Sequence, residues 1–86
     1  MKYRQNTEIF SASLDQEVCI FNPANGEYIN LNKTASKIWE LIEQSTSIKK
    51  LVDSLNEIYE DKELILETEL IEFLEKGMKK GFIISN

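Results

Sequence analysis

The side chains that could do chemistry in this chain are few. Histidine is absent, and Cys19 is the single cysteine, within the apolar run 18–21. Ser-His-Asp and Cys-His catalysis both need an imidazole, and one thiolate cannot hold zinc or an iron–sulfur cluster. The three glycines are too scattered to form a phosphate-binding loop. We therefore expect no metal site and no cofactor, and we expect Cys19 to be a small buried hydrophobic residue.

Carboxylate pairs are the remaining catalytic possibility. Glu60 with Asp61, and Glu63 with Glu67, are close enough in sequence to act together. At these spacings on an acidic helix, however, such residues are typical of a solvated face. The sequence accordingly predicts a protein that is not an enzyme.

The charge balance disfavours nucleic acid and anionic membranes as partners. Fifteen Asp and Glu residues outnumber ten Lys and Arg residues, which gives a formal charge of −5. Binding to phosphate backbones needs clustered cations. The segment 63–75, where a DNA-reading helix would lie, contains five glutamates and no Lys or Arg.

Length and composition predict one domain spanning residues 1–86. A chain of 86 residues can fold alone while keeping only a thin core. Residues 1–6 lack the apolar stretch of a signal peptide, and no apolar run approaches the roughly 20 residues that span a bilayer. A lone cysteine suits a reducing compartment, so a cytoplasmic protein is predicted.

The first third of the chain has the pattern of β-strands. Short apolar segments lie at 8–14, 17–21 and 27–31. Between the last two, Pro23 and the dipeptide Asn25-Gly26 favour a hairpin turn, because Asn and Gly tolerate positive φ. In the final strand, alternation is expected to separate Tyr28 and Asn30 from Ile29 and Leu31.

Helical periodicity starts after Asn32, which is a suitable N-cap. Gly81 is suited to end the last helix, and an apolar tail follows it that could pack back as a strand. The predicted fold class is α+β, with a three-stranded antiparallel sheet followed by three helices in a winged helix-turn-helix-like arrangement. The three helices are predicted over about 33–44, 48–59 and 63–80.

The third helix carries an apolar stripe that is wider than one core contact needs. The natural core face comprises Leu66, Leu70, Phe73, Leu74 and Gly77. A neighbouring set, which we call the second ridge, comprises Leu64, Glu67, Ile71, Glu75 and Met78. Two interpretations stay open: the second ridge broadens the core face, or it borders a partly apolar groove edged by carboxylates.

The strand over 27–31 bears on this choice. An edge strand leaves backbone N–H and C=O groups unpaired, and an incoming extended peptide can pair with them. A groove between this strand and the second ridge would bind such a peptide. The alternative is an ordinary edge protected by charge, and the periodicity does not decide between them.

The run 22–42 resembles the PqqD-like family, the recognition elements for leader segments of ribosomally made, modified peptides. The resemblance rests on a turn with Pro23 and Gly26, a strand with Tyr28, then Leu31-Asn32 and the helix motif Ile38-Trp39-Glu40-Leu41. It extends, more weakly, over nearly the whole chain from about Glu8. Ala35 stands where the family often has glycine, which is a conservative change.

The resemblance implies a winged-helix-like domain that binds a precursor's leader as a strand added beside 27–31 and against the third helix. The domain would do no chemistry and would bring the leader to a separate modifying enzyme. That enzyme would be the protease and cyclase of a lasso-peptide pathway, which we favour, or a radical-SAM enzyme as in quinone-cofactor biosynthesis.

By this analogy the strand supplies backbone pairing and the helix supplies an apolar floor with carboxylates for leader cations. Leu31, like Trp39, has the alternative role of a core residue. The implied peptide-binding residues are Glu27, Tyr28, Ile29, Asn30, Leu31, Leu64, Glu67, Ile71, Glu75 and Met78.

Two other functions stay open from the sequence. One is an acidic winged-helix regulator that binds protein or, as a dimer, DNA. The other is a structural subunit whose apolar ridge is buried in an obligate partner. The open strand edge is compatible with a monomer or with a strand-exchanged dimer.

Overall fold

A computed structural model describes residues 1–58 and 63–85 of the chain, and the side chains of residues 63–66 lie outside that description. The predicted end of the second helix at Tyr59 and the polar connection 60–62 also lie outside the described residues. No helix in the described part is long and apolar enough to cross a bilayer.

The architecture is α+β, as predicted, and the chain passes through a strand meander before its three helices. The elements in the described residues are β1 (Lys2–Gln5), β2 (Phe10–Leu14), β3 (Glu17–Asn22), β4 (Glu27–Asn30), α1 (Lys33–Leu41), β5 (Thr46–Ser47), α2 (Ile48–Ile58), α3 (Glu63–Lys80) and β6 (Ile83–Ser85). The predicted three-stranded antiparallel sheet is present, with the order β2-β3-β4. The winged-helix label stays a prediction.

Two tight turns build this sheet. Asp15 and Gln16 both have positive φ, of 52° and 68°, which is the requirement of a two-residue type I′ hairpin between β2 and β3. The second turn follows the predicted Pro-Asn-Gly signal. There Gly26 has a φ of 73°, and its N–H donates to the carbonyl of Asn22 at 2.8 Å.

A second sheet, with the order β5-β1-β6, was not predicted as a sheet. Tyr3 of β1 lies opposite both Thr46 of β5 and Ser85 of β6, and its side chain is buried. The apolar tail therefore does pack back as a strand. Its partner is the extreme N-terminus, which the sequence pattern left unassigned.

The helices begin where expected, but α1 ends at Leu41, three residues before its predicted end at 44. Asn32 caps α1, since its Oδ1 accepts a hydrogen bond from the N–H of Ala35 at 2.8 Å. Gly81 ends α3 with a φ of 87°. Ser47 Oγ accepts from the N–H of Lys50 at 3.3 Å, in the manner of an N-cap for α2.

One apolar core joins the two sheets and the three helices. Its members come from every helix and from both sheets. Ile58, at the described end of α2, is an apolar residue outside this core and is 46% exposed. The buried apolar residues include Ile20, Ile38, Trp39, Ile42, Leu51, Leu55, Leu70, Leu74 and Phe82.

Candidate functional site

The outer edge of β4 is open among the described residues. There β4 pairs only with β3. The N–H of Leu31 donates to the carbonyl of Val18 at 2.8 Å, so the backbone N–H of Leu31 points toward β3. In an antiparallel pair, the backbone N–H and C=O groups of successive residues point alternately toward the partner strand and away from it. The backbone groups of Ile29, two residues before Leu31, therefore also point toward β3. Tyr28 and Asn30 therefore direct their backbone N–H and C=O groups to the open edge.

The two faces of β4 differ as the alternation predicts. Ile29 is half-buried and packs against the core, whereas Tyr28 is 71% exposed and Asn30 is exposed. Leu31 is only 6% exposed, so its side chain belongs to the core. The contribution of Leu31 is thus to anchor the end of β4, and not to present an apolar side chain at the surface.

Ser36 holds β3 and the end of β4 on α1. It is buried, and its hydroxyl oxygen accepts a hydrogen bond from the N–H of Val18 at 2.7 Å. The same hydroxyl donates to the carbonyl of Leu31 at 3.2 Å. Sequence reasoning missed this residue. The available signal was a serine that follows Ala35 and precedes the apolar residues Ile38 and Trp39 in the same helix.

The C-terminal end of α3 is tied to the start of β4. Lys80 Nζ lies 3.3 Å from Glu27 Oε2. Beside it, Asn22 Nδ2 donates a long hydrogen bond, 3.5 Å, to the carbonyl of Lys80. Both side chains of the ion pair are more than a third exposed, so it contributes little stability but marks where helix and strand meet. Lys80 is a second residue that sequence reasoning did not assign to the site.

Burial separates the predicted core face of α3 from the second ridge. Leu70, Phe73 and Leu74 are buried, as predicted. On the second ridge, Ile71 is 39% exposed and Met78 is half-buried against the core. The carboxylate-bearing members, Glu67 and Glu75, are exposed, and the side chain of Leu64 lies outside the described residues. In its described part, the second ridge is a partly apolar surface edged by carboxylates.

The contact between α3 and β4 comes from a different face of the helix. At 3.6 residues per turn, Lys80 lies about 180° around the axis from Ile71. Phe73 and Lys76 lie within about 40° of Lys80 by the same measure. The helix therefore offers two flanks, one with Ile71 and Met78 and one with Lys76 and Lys80, and the described ion pair joins the second flank to β4.

The arrangement favours binding through the backbone. Among the described residues, no group of three or more His, Cys, Asp or Glu side chains is placed to hold a metal ion. What the site offers is an open row of N–H and C=O groups on a strand that is fixed from behind by Ser36. Such an edge can accept one more strand.

A comparison with protein families matches residues 17–83 to the model described as coenzyme PQQ synthesis protein D, PqqD. The chain belongs to the PqqD family. The matched region of this PqqD-family protein begins at β3 and extends into β6, so it includes the open edge of β4 and all of α3.

Two solved structures resemble this PqqD-family protein along almost its full length. The first is described as TbiB1 in complex with the TbiA(beta) leader peptide; it has a TM-score of 0.85 and 25% identity, and the match covers 96% of each chain. The second is described as lasso peptide synthetase B1 complexed with the leader peptide. It has a TM-score of 0.80 and 23% identity, with 96% of this chain and 98% of that chain covered. A search of curated protein sequences gave no match.

Proposed function

We propose that this PqqD-family protein binds the leader segment of a ribosomally made precursor peptide as a strand added beside β4. The protein performs no catalysis. It delivers the bound leader to a separate modifying enzyme and so raises the local concentration of the precursor at that enzyme's active site.

The observation that carries this proposal is the open edge of β4. Tyr28 and Asn30 turn their backbone groups outward, while the inner face of the strand is anchored by Ile29 and Leu31 in the core. The strand is therefore held in place by the core before a peptide arrives, which reduces the entropy lost on binding. Strand addition supplies main-chain hydrogen bonds that contribute affinity, and contacts to alternate leader side chains supply the specificity for the leader.

The comparisons support the choice of ligand. Both similar structures are described as complexes with leader peptides, and one is described as lasso peptide synthetase B1. We accordingly favour a lasso-peptide pathway, in which the partner enzymes are a leader protease and a cyclase, over a radical-SAM pathway. The action of such a pathway on a newly made peptide is in keeping with a cytoplasmic protein.

The helix α3 forms the second wall of the proposed groove. The predicted second ridge, with apolar Ile71 and Met78 and the exposed carboxylates of Glu67 and Glu75, lies on the opposite flank of α3 from Lys80, so its contact with the leader stays a prediction. Glu27 is paired with Lys80 at the start of β4 and closes the groove there. Leu64, whose side chain lies outside the described residues, stays a predicted member of the second ridge.

Fluorescence anisotropy tests the function directly. The fluorescein-labelled probe is the leader half of the short peptide encoded beside this protein's own gene, with a scrambled leader and a random DNA duplex as controls. Saturable binding to the leader alone is expected. No binding to DNA is expected, because the acidic surface of α3 repels phosphate. Equal binding to the scrambled leader, or binding to DNA, would overturn the proposal.

A pair of proline variants tests the mode of binding. Asn30→Pro removes an outward N–H and places the proline ring on the open edge of β4, so affinity is expected to fall at least about tenfold. Ser11→Pro is the matched control on β2. The type I′ turn pairs Leu14 with Glu17, and alternation then directs the N–H of Ser11 to the opposite open edge. Loss of affinity with Ser11→Pro alone would move the leader to β2.

A further inference from the structure

The outer face of the β2-β3-β4 sheet carries an aromatic row that ends at the open edge of β4. Phe10 lies opposite Phe21, and Phe21 lies opposite Tyr28. The rings of Phe21 and Tyr28 are in contact, with centroids 4.7 Å apart and planes tilted by 42°. Each strand of the sheet therefore contributes one ring, and we call these three residues the aromatic row.

The row is exposed at both ends. Phe10 and Tyr28 are 66% and 71% exposed, whereas Phe21 between them is half-buried. A shallow surface depression of about 160 Å³ is lined by all three rings together with Ser11, Ala12 and Cys19. The prediction that Cys19 is buried is therefore wrong, since its side chain is half-buried on this outer face. One flank of the Tyr28 ring is covered by Phe21, and the flank toward the open edge has no strand beside it in the described residues.

We propose that Tyr28 is a specificity-determining residue that selects leaders with an aromatic or large aliphatic side chain at the position paired with it. This inference rests on the proposed strand addition at β4 and deepens it. The paired leader residue becomes the fourth member of the aromatic row.

The pleat of the sheet makes the selection specific to one position. A leader residue directly opposite Tyr28 projects on the same face as Tyr28, with its Cβ within about 5.5 Å, and its two neighbours project toward the core side of the sheet. Tyr28 directs its backbone groups outward, so this leader residue is also held by backbone hydrogen bonds. Its side chain is thus presented to the free flank of the tyrosine ring.

The neighbouring row predicts no such preference. The next row across the sheet consists of Ala12, Cys19 and Asn30, each opposite the next. At the open edge this row ends in the polar side chain of Asn30. A leader residue opposite Asn30 meets no ring. The outer face therefore selects at one leader position, the one opposite Tyr28.

A peptide library tests this inference without knowledge of the natural leader. The probe is a phage-displayed library of random 12-residue peptides, selected on the immobilised full-length protein and read by sequencing. Wild-type protein is expected to enrich an alternating pattern with an aromatic or large aliphatic residue at one position. With Tyr28→Ser, enrichment at that position is expected to fall roughly three- to tenfold, while the apolar preference at the two flanking positions stays.

Two further variants give independent readouts. Phe10→Ser removes a similarly exposed ring from the far end of the aromatic row and is expected to leave the preference unchanged. Tyr28→Lys is expected to shift the preferred residue at the same position to Asp or Glu, because opposite charges pair favourably across neighbouring strands. A shift to a new preference also demonstrates that the variant is folded.

The outcomes separate this inference from the function on which it rests. Suppose that wild-type protein enriches extended peptides and that the aromatic or aliphatic preference stays with both Tyr28→Ser and Tyr28→Lys. This result would overturn the role of Tyr28 and leave peptide binding intact. A preference that is lost with Phe10→Ser and kept with Tyr28→Ser would place the peptide on β2 and would also overturn the role of Tyr28. Failure of the wild-type protein to enrich any peptide would overturn strand addition itself.

Discussion

The hydroxyl oxygen of Ser36 lies 2.7 Å from the backbone nitrogen of Val18, and the hydrogen bond between them is buried. Val18 stands in β3 at the point where β4 ends, and its carbonyl already accepts from the N–H of Leu31. Ser36 therefore satisfies a backbone donor that the sheet leaves without a strand partner. One side chain of α1 in this way fixes the position of the two strands that carry the open edge.

Ser36→Ala is expected to lower the free energy of unfolding by about 1–3 kcal/mol, because it leaves the Val18 N–H buried without an acceptor. Urea denaturation followed by circular dichroism measures this change. Ser11→Ala, on the exposed strand β2, is the control and is expected to change stability by less than about 0.5 kcal/mol. Equal effects of the two substitutions would contradict the role of the Ser36 hydroxyl.

Gly77→Ala is expected to destabilise the protein by about 1–3 kcal/mol, although alanine is normally the better helix former. A Cβ at position 77 would overlap the side chain of Ile83 and lie 2.9 Å from the ring of Phe82. Thermal and urea unfolding measure the loss. Ile83→Val removes the nearest methyl group, so the double variant is expected to lose less than the sum of the two single changes. Additive losses would argue against this contact as the cause.

The two flanks of α3 predict different responses to the same new charge. Ile71→Asp tests the predicted second ridge: if that ridge contacts the leader, the variant is expected to weaken binding at least about tenfold, because it places a carboxylate on an apolar surface. Lys76→Asp, on the flank that carries Lys80, is expected to change the affinity less than about threefold. Anisotropy titration measures both, with circular dichroism as the check of folding. The reverse order of effects would assign the leader to the flank of Lys76.

Glu67→Lys is expected to weaken the binding of a basic leader and to flatten its dependence on salt. The Glu67 side chain is exposed, so its attraction for a leader cation is screened as ionic strength rises. Titrations between about 50 and 200 mM NaCl measure the slope. Glu57→Lys, on α2, makes the same change of charge at an exposed position that the proposed site does not use. If the salt dependence of affinity is unchanged in Glu67→Lys, or changes equally in both variants, Glu67 does not belong to the site.

Local patterns predicted the elements that carry strong periodicity or turn chemistry. The N-cap at Asn32, the turn at Gly26 and the end of α3 at Gly81 are all set by residues within four positions of the feature. The strands β1 and β5 were not predicted, because segments of four and two residues hold too little alternation to be recognised. Their pairing depends on partners that are distant in sequence.

The candidate site was predicted less completely than the fold. The sequence distinguished Tyr28 and Asn30 from Ile29, because alternation in a strand is a local property. It did not identify Ser36 or Lys80, whose partners lie 18 and 53 residues away. The residues of the aromatic row were visible in the sequence, but their alignment depends on the register of two hairpins.

The sequence by itself determined the α+β class, the hairpin before α1, the amphipathic helices and the family, because periodicity, capping and motif order are properties of neighbouring residues. It also excluded chemistry that needs imidazole, since the chain has no histidine. The tertiary structure alone decided that the outer edge of β4 is open, that Lys80 rather than Ile71 reaches this strand, and that three rings from three strands form one row. These features depend on how distant segments pack, and the free energy of that packing is not contained in any short stretch of the chain.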